Sequence, residues 1–253
     1  MMEAITSLHN QKVAFWRSLA EKKGRDSAGK FLVEGSKMVE EALKSEFSVD
    51  AVLLRQDFIP SFPLPDDIPC FILADHVFQS VCSTKTPQGI AAVVRIQTLH
   101  SGGSRLLAMD GLQDPGNVGT VIRTADAAGI DGILVSPDCA DVFSPKVLRA
   151  SMGSIFHIGI EFPDSLSSRL AEYRENGFAV ISSQLDGEPF FSRKPITDSF
   201  ILIVGNEGNG ISDEVKLTAT HHFRLPMRGE AESLNVAVAA GIMMYDLTRC
   251  LPE

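Results

Sequence analysis

Three segments of the chain place side chains that can contact a polar ligand beside glycines that let the backbone approach it. These segments are residues 114–129 (DPGNVGTVIRTADAAG), 204–212 (VGNEGNGIS) and 225–247, which begins LPMRGEAESLN. Their polar side chains are Asn117 and Arg123 in the first segment, Glu207 in the second, and Ser233 and Asn235 in the third. Amide, carboxylate, hydroxyl and guanidinium groups can orient a substrate and stabilise developing charge without a metal ion.

The first two segments, taken singly, also have structural interpretations. Apolar residues at helical spacing predict a helix in the first segment, ended by Gly129, so Asn117 could cap it and Arg123 could be solvated. That structural interpretation is favoured when the segment is considered alone. The stripe residues are Val118, Val121, Ile122 and Ala125.

The second segment carries its glycines in the order GxxGxG, which matches neither the GxGxxG dinucleotide fingerprint nor a Walker loop. A ligand-binding loop and a plain turn are equally good interpretations of it.

The third segment predicts a helix, capped by Ser233 or Asn235 and ending near Leu247, that is apolar on nearly every side. Such a helix must be buried on every side, which suggests a core position together with a subunit interface. A charge at Met243 or Met244 is therefore expected to weaken association.

The C-terminal part of the chain alternates apolar runs with helical patterns. Such alternation predicts a parallel sheet covered on both faces, hence an α/β fold. The runs are residues 106–110, 132–136, 178–183 and 201–205. The polar Gly/Ser stretch at 97–104 predicts a break before this sheet.

The N-terminal part predicts a smaller α/β domain. Val13, Trp16, Leu19 and Ala20 recur at helical spacing, and residues 60–69 form a Pro-rich loop. The predicted strands are 31–35, 49–55 and 89–96, and the predicted helices run from a Ser36 cap to Lys44 and from an Asp75 cap to Ser83. The predicted domains are therefore residues 1–98 and 105–253.

Composition sets further bounds. Hydrophobic residues make up 44% of the 253 residues, with no run long enough to span a bilayer and no signal-peptide pattern, so we expect no membrane association. Four scattered cysteines predict a cytoplasmic protein without a zinc site. The net charge of −9 argues against a nucleic-acid partner, but residues 1–37 carry a local excess of positive charge that suits either an RNA handle or a solvated helix face.

Together, GNVGTVIR (116–123), GNEGNGIS (205–212) and LPMRGEAESLNVAVAAGI (225–242) resemble the three signature motifs of the SpoU (TrmH-like) RNA 2′-O-ribose methyltransferases, in order and in spacing. Each motif is weak singly, and the combination is highly specific. Residues 27–45 and 86–94 also resemble, more loosely, the ribosomal-protein-like substrate-binding module that precedes the catalytic domain in many members.

The resemblance implies a deep trefoil knot in the C-terminal domain and S-adenosylmethionine as methyl donor. It implies donor contacts at Gly205, Leu225, Met227 and Leu234, with both leucines flanking adenine. It implies catalytic-site positions at Asn117, Arg123, Glu207, Ser233 and Asn235.

Arg123 is expected to orient an RNA phosphate and to stabilise oxyanion charge, because its high pKa makes it a poor base. An RNA phosphate remains a possible proton acceptor. His221 and His222 are expected to be structural. We further expect a homodimer paired through the last helix and an RNA substrate, with rRNA favoured over tRNA.

Two alternatives remain open. One is a non-catalytic RNA-binding relative, which the presence of all five catalytic-site residues disfavours. The other is a dinucleotide-dependent oxidoreductase, suggested by the alternating strands and the glycine loop but lacking GxGxxG and a ribose-binding acid.

Overall fold

The computed structural model describes residues 3–97, 102–196 and 198–249. These form two compact units, one of residues 3–97 with 143–156 and one of residues 102–142 with 157–249. Residues 98–101 of the predicted break lie outside the described residues. The sequence had placed 143–156 in the C-terminal domain, whereas the structure groups this segment with the first unit.

The first unit is built on a five-stranded mixed sheet with the order β1-β4-β3-β5-β2. Strand β5 runs antiparallel to β2 and β3, and the other pairs are parallel. The elements up to residue 97 are β1 (Glu3–Ile5), α1 (Gln11–Ser18), α2 (Lys22–Ala28), β2 (Lys30–Glu34), α3 (Ser36–Lys44), β3 (Val49–Arg55), β4 (Cys70–Leu73), α4 (Asp75–Val81) and β5 (Ile90–Arg95).

The core of this unit confirms most of the predicted helical stripe. Val13, Trp16 and Leu19 are buried, whereas Ala20 is exposed. They pack with Phe78 against the sheet. The predicted strand 49–55 is confirmed to the residue.

Both predicted helix caps in this unit are wrong. Helix α3 begins at Ser36 with Gly35 as its N-cap. Helix α4 begins at Asp75 with Ala74 as its N-cap, without a side-chain hydrogen bond, and ends at Val81, before Ser83.

The second unit holds a six-stranded, entirely parallel sheet with the order β11-β9-β10-β6-β7-β8. The predicted parallel α/β fold is thereby confirmed. Its elements, interrupted by α6 of the first unit, are β6 (Arg105–Asp110), α5 (Pro115–Ala127), β7 (Gly132–Val135), α6 (Pro145–Ser151), β8 (Gly159–Glu161), α7 (Leu166–Glu175), β9 (Ala179–Pro189), β10 (Phe200–Gly205), α8 (Asp213–Lys216), β11 (His221–Arg224) and α9 (Val236–Thr248).

Helices α7 and α8 pack on one face of this sheet through Leu166, Leu170 and Val215. Helix α9 packs against α5 and β10. The carboxyl ends of β6, β9 and β10 share one edge of the sheet, because parallel strands end on the same side. Open parallel sheets bind their ligands at that edge.

Candidate active site

Helix α5 begins at this edge with a strong cap. Asp114 is the N-cap, and its carboxylate accepts a 2.9 Å hydrogen bond from the backbone N–H of Asn117. Pro115 occupies the first helical turn, where its missing N–H has no cost. Asp114 rather than Asn117 therefore caps the helix, and the Asn117 side chain remains free for other contacts.

The side chains of three distant segments meet in one hydrogen-bonded chain. Asn117 Nδ2 donates to Glu207 Oε1 over 2.9 Å. Asn235 Nδ2 donates to Asn117 Oδ1 over 3.0 Å. Asn117 thus uses both ends of its amide, which fixes its orientation. The structure brings together one residue from each segment that the sequence singled out.

Glu207 is held as a carboxylate in this chain. Partial burial pushes the pKa of its carboxyl upward, but hydrogen bonds from the Asn117 amide and from nearby backbone N–H groups outweigh burial and lower that pKa below its ordinary value. One such donor is the Gln113 N–H, 3.5 Å from Glu207 Oε2. The carboxylate is therefore an acceptor that positions donors, and it is ionised at neutral pH.

The glycine loop after β10 is shaped by Asn206, which the sequence analysis did not single out. Backbone groups of Asn206 and Gly210 exchange two 2.9 Å hydrogen bonds. The Asn206 side chain accepts from the N–H groups of Gly208 and Asn209 and donates to the carbonyl of Gly111 over 2.7 Å. Asn206 therefore closes the loop and ties it to the end of β6.

Gly205 occupies a position that has no room for a side chain. A Cβ there would lie 2.3 Å from the Gly210 carbonyl carbon and 2.3 Å from the Ile211 nitrogen. Both are backbone atoms, which cannot move aside as a flexible side chain can. The close approach explains why a glycine stands at the end of β10.

A cavity of about 520 Å³ opens beside this loop. All four predicted donor-binding residues, Gly205, Leu225, Met227 and Leu234, line it. Glu207, Ser233 and Asn235 also line it. The cavity thus combines apolar side chains with closely approaching backbone, the composition expected of a pocket for a small organic ligand.

A bulge in β9 supplies a wall that the sequence did not predict. Ser182 pairs with His222, but the next pair joins Glu188 to Phe223. The intervening residues, 183–187, leave the ladder with β11, and 183–186 line the cavity. A Cβ on Gly187 would lie 2.6 Å from the His222 carbonyl oxygen, so a glycine is needed where the strand returns.

Asn235 performs a second task as the N-cap of α9. Its Oδ1 accepts from the Ala237 N–H over 2.9 Å and from the Val238 N–H over 3.4 Å. Of the two predicted caps, Asn235 is therefore the correct one. Ser233 lies at the cavity with its side chain exposed.

Arg123 is not joined to this chain of side chains. It lies exposed on α5, and within the described residues it has neither a hydrogen bond nor an ion pair. His221 and His222, expected to be structural, bond through Nδ1 to Thr220 Oγ1 and Ser182 Oγ, each over 2.8 Å. Arg123 is thus a free cation available to a ligand.

These features together define an α/β enzyme with a small-molecule pocket. They are the parallel sheet, the glycine loop at its carboxyl edge, and the hydrogen-bonded series Glu207–Asn117–Asn235. Residues 104–245 match the model of the SpoU rRNA methylase family. Residues 10–92 match that of the MRM3-like substrate binding domain. The chain therefore belongs to the SpoU rRNA methylase family, as the sequence motifs predicted, and it is an RNA methyltransferase.

Similar proteins cover the whole chain. The 23S rRNA (guanosine(2553)-2′-O)-methyltransferase RlmP of Bacillus subtilis is 42% identical over 97% of this chain and 99% of its own length. A TrmH-family RNA methyltransferase structure from Porphyromonas gingivalis is 34% identical, with a TM-score of 0.88 over 96% of this chain and 99% of its own. An AdoMet-bound rRNA methyltransferase structure from Sinorhizobium meliloti is 29% identical, with a TM-score of 0.88 over 100% of this chain and 99% of its own.

Among the described residues, no group of three or more His, Cys, Asp and Glu side chains is placed to hold a metal ion. Over the same ranges, no helix combines the length and hydrophobicity needed to cross a bilayer.

Proposed function

We propose that this chain transfers a methyl group from S-adenosylmethionine to a ribose 2′-hydroxyl of 23S rRNA. The observation that carries the proposal is the Glu207–Asn117–Asn235 chain beside a cavity lined by every predicted donor-binding residue. The predicted reaction and methyl donor are confirmed by the family and its relatives. The nucleotide in the name of the Bacillus subtilis relative, guanosine 2553, is the first position to test.

The cavity suits S-adenosylmethionine. Leu225 and Leu234 offer apolar contacts for adenine, and Gly205 lines the same cavity with backbone atoms. When bound there, the donor supplies an electrophilic methyl group. The protein need only hold that methyl group and the ribose hydroxyl in line, which alone lowers the barrier considerably.

The hydrogen bonds between Glu207, Asn117 and Asn235 hold the three segments of the site in place. Glu207 holds Asn117, and Asn117 holds Asn235, which begins the helix after the third segment. We assign Arg123 to the RNA, where its unpaired guanidinium orients a phosphate and offsets negative charge on the reacting oxygen. A phosphate of the RNA accepts the hydroxyl proton in this scheme. We assign Ser233 to the substrate as well, because it is exposed and lines the cavity.

We propose that the chain between the glycine loop and Asn235 forms the trefoil knot of the family, and that the first unit recognises RNA. The match to a substrate-binding domain over residues 10–92 supports this division of labour. So does the positive end of an otherwise acidic chain, with seven basic and four acidic residues in 1–37. A cytoplasmic location stays a prediction.

We also propose a homodimer paired through α9. Val238, Ile242 and Tyr245 form an exposed stripe on this helix, with 51%, 38% and 53% of their surface accessible. A stripe of large apolar side chains on one helix favours a self-complementary contact. Met243 and Met244 are fully buried within the chain. Placing the interface-breaking charge at these methionines was therefore wrong, because they pack inside the chain.

The test is methylation of a 23S rRNA transcript by the purified protein, with the modified ribose mapped by mass spectrometry. Calorimetry with S-adenosylmethionine and with NAD(H) separates this proposal from a dinucleotide enzyme. Binding of S-adenosylmethionine without transfer to ribosomal or transfer RNA would support the non-catalytic alternative. Folded protein that binds neither S-adenosylmethionine nor S-adenosylhomocysteine would refute the assignment.

A further inference from the structure

A second cavity, of about 300 Å³, lies in the first unit and takes no part in the chemistry described above. Its walls are the end of β2 with the start of α3, the loop that precedes β5, and α6 with its C-cap. The lining residues are Glu34, Gly35, Lys37, Met38, Thr84, Thr86, Pro87, Gln88, Arg149 and Met152. Its volume is at the small end of the range for ligand pockets, about 300–1,000 Å³.

Two cations without acidic partners line this cavity. Lys37 and Arg149 are exposed, and neither forms an ion pair within the described ranges. Arg149 donates one hydrogen bond, to Ser83 Oγ over 2.7 Å, which leaves the other guanidinium N–H groups available. Both side chains can therefore bind an anion that enters the cavity.

The acidic residue of the cavity is already engaged. One oxygen of the Glu34 carboxylate accepts from the Ser83 N–H and hydroxyl, each over 2.7 Å. The other accepts from the Thr84 N–H over 3.2 Å. With one acidic residue against Lys37 and Arg149, the lining carries a net charge of +1.

The apolar part of the cavity is formed by Met38, Pro87 and Met152. Met152 has a φ of 53°, and among the described residues it is the one non-glycine residue with positive φ. The left-handed conformation is unfavourable for any residue that has a Cβ, so glycine is the usual residue at such a helix C-cap. The chain nevertheless keeps a methionine there, 45% exposed at the cavity.

A fixed amide faces the same space. Gln88 Oε1 accepts from the Ser36 N–H over 3.0 Å, which anchors the side chain and leaves its NH₂ group to donate elsewhere. The contact depends on Gly35, since a Cβ there would lie 2.9 Å from Gln88 Oε1. An anchored amide in a polar rim is suited to reading the edge of a base.

We propose that this cavity binds one unpaired nucleotide of the RNA substrate, with the base against Met38 and Met152 and its phosphate between Lys37 and Arg149. The inference rests on the proposed RNA methyltransferase function. Thioether groups make favourable contacts with aromatic rings, and cations at the rim contact phosphates. A small cavity with one apolar side suits a base splayed out of a single-stranded loop better than a duplex, which presents its bases stacked.

The test compares the double variant Lys37→Ala/Arg149→Ala with Lys44→Ala/Lys85→Ala, in the full-length protein with a 23S rRNA transcript. Lys44 and Lys85 are exposed residues of the same unit that lie outside the basic segment 1–37 and do not line the cavity. The cavity variant should raise the KM for RNA by at least about tenfold and lower the salt slope of binding by about 0.7–0.9 for one lost phosphate contact. The control should change KM by less than about threefold.

Met152→Gly tests the base contact separately. Glycine removes the backbone strain, so the melting temperature should stay unchanged or rise, while the KM for RNA should rise about threefold to tenfold. A wild-type KM in this variant overturns the placement of the base. Wild-type protein that methylates the transcript, together with a cavity double variant no weaker than its control, overturns the nucleotide site alone. Wild-type protein that methylates no ribosomal RNA overturns the proposed function instead.

Discussion

Replacing Asn117 by Asp is the sharpest test of the hydrogen bonds that join Glu207, Asn117 and Asn235 at the candidate active site. The exchange keeps the size of the side chain and keeps an acceptor for the Asn235 amide. It replaces the donor that lies 2.9 Å from Glu207 Oε1 with an oxygen that carries negative charge. Two carboxylates then face each other at the junction of the first and second segments.

The expected cost follows from this distance. Loss of a hydrogen bond to a charged group costs about 1.5–3 kcal/mol. Repulsion between unit charges 2.9 Å apart adds about 1.4 kcal/mol at the dielectric constant of water, and more where water is excluded. Because Glu207 is exposed and can turn away, we expect a net loss of about 2 kcal/mol, or about 4–8 °C in melting temperature.

The sign of the pH dependence distinguishes this mechanism from a general packing defect. In the wild type the folded-state pKa of Glu207 is lowered, so its contribution is present above the unfolded pKa and is lost as pH falls through the folded pKa. In the variant the paired carboxyls raise each other's pKa, and a shared proton restores a donor. The difference in stability between the wild type and the variant should therefore shrink as pH falls from about 8 to about 5.

Melting curves and calorimetric titration with S-adenosylmethionine across this pH range measure the effect. The matched control is Asn10→Asp, since Asn10 only accepts a hydrogen bond, from the Lys12 N–H, as the N-cap of α1. Aspartate caps equally well, so no deficit that shrinks at low pH should appear there. If the melting temperature of the Asn117 variant stays equally far below that of the wild type from about pH 8 to about pH 5, the hydrogen bonds between Glu207, Asn117 and Asn235 are not as described.

Three further predictions concern the glycine loop after β10, Arg123 and the proposed homodimer. Gly205→Ala should weaken S-adenosylmethionine binding at least about tenfold by calorimetry, because its Cβ meets the Gly210 backbone at 2.3 Å. Gly229→Ala is the tolerated control, because an added Cβ there meets no heavy atom within 4 Å beyond its chain neighbours and Gly229 does not line the cavity. Arg123→Ala and Arg123→Lys should bind the donor normally but lose most methyl transfer, measured with labelled donor. The lysine variant should fail because a point charge cannot replace the planar guanidinium. Near wild-type turnover in either variant would show that Arg123 is merely solvated. Ile242→Asp should give a monomer by light scattering with weaker donor binding, whereas an unchanged particle mass would place the interface elsewhere.

The parallel sheet could be predicted because local patterns encode it, whereas the roles of the site residues stay predictions that rest on the motif resemblance. Apolar runs such as 201–205 specify buried strands, and the stripe from Val118 to Ala125 is buried as its spacing indicates. Leu225 and Leu234 were placed at the donor pocket through the motif resemblance, and the cavity they line agrees with it. Local pattern therefore suffices for the buried strands and for the buried face of α5.

Features that depend on long-range register could not be predicted. The bulge at 183–187 exists because β11 pairs with two separated stretches of β9, which no local pattern reveals. Asn206 reads as one more loop residue until the Gly111 carbonyl lies 2.7 Å away. Segment 143–156 looks like part of the second unit in sequence, but Phe143 and Phe156 pack on Phe31 at ring distances of 4.8 and 6.3 Å.

The two hydrogen-bonding roles of Asn235 predict that the proposed donor site and the proposed α9 interface influence each other. One end of its amide caps α9, and the other donates to Asn117, which in turn holds Glu207 on the glycine loop. Helix α9 thus begins at the same side chain that completes the series of hydrogen bonds across the candidate active site. A contact that orders α9 through Val238 and Ile242 should also restrict Asn235, so that donor binding should cost less conformational entropy. Dimer formation and donor affinity are therefore expected to strengthen each other, since coupling between two binding events is reciprocal.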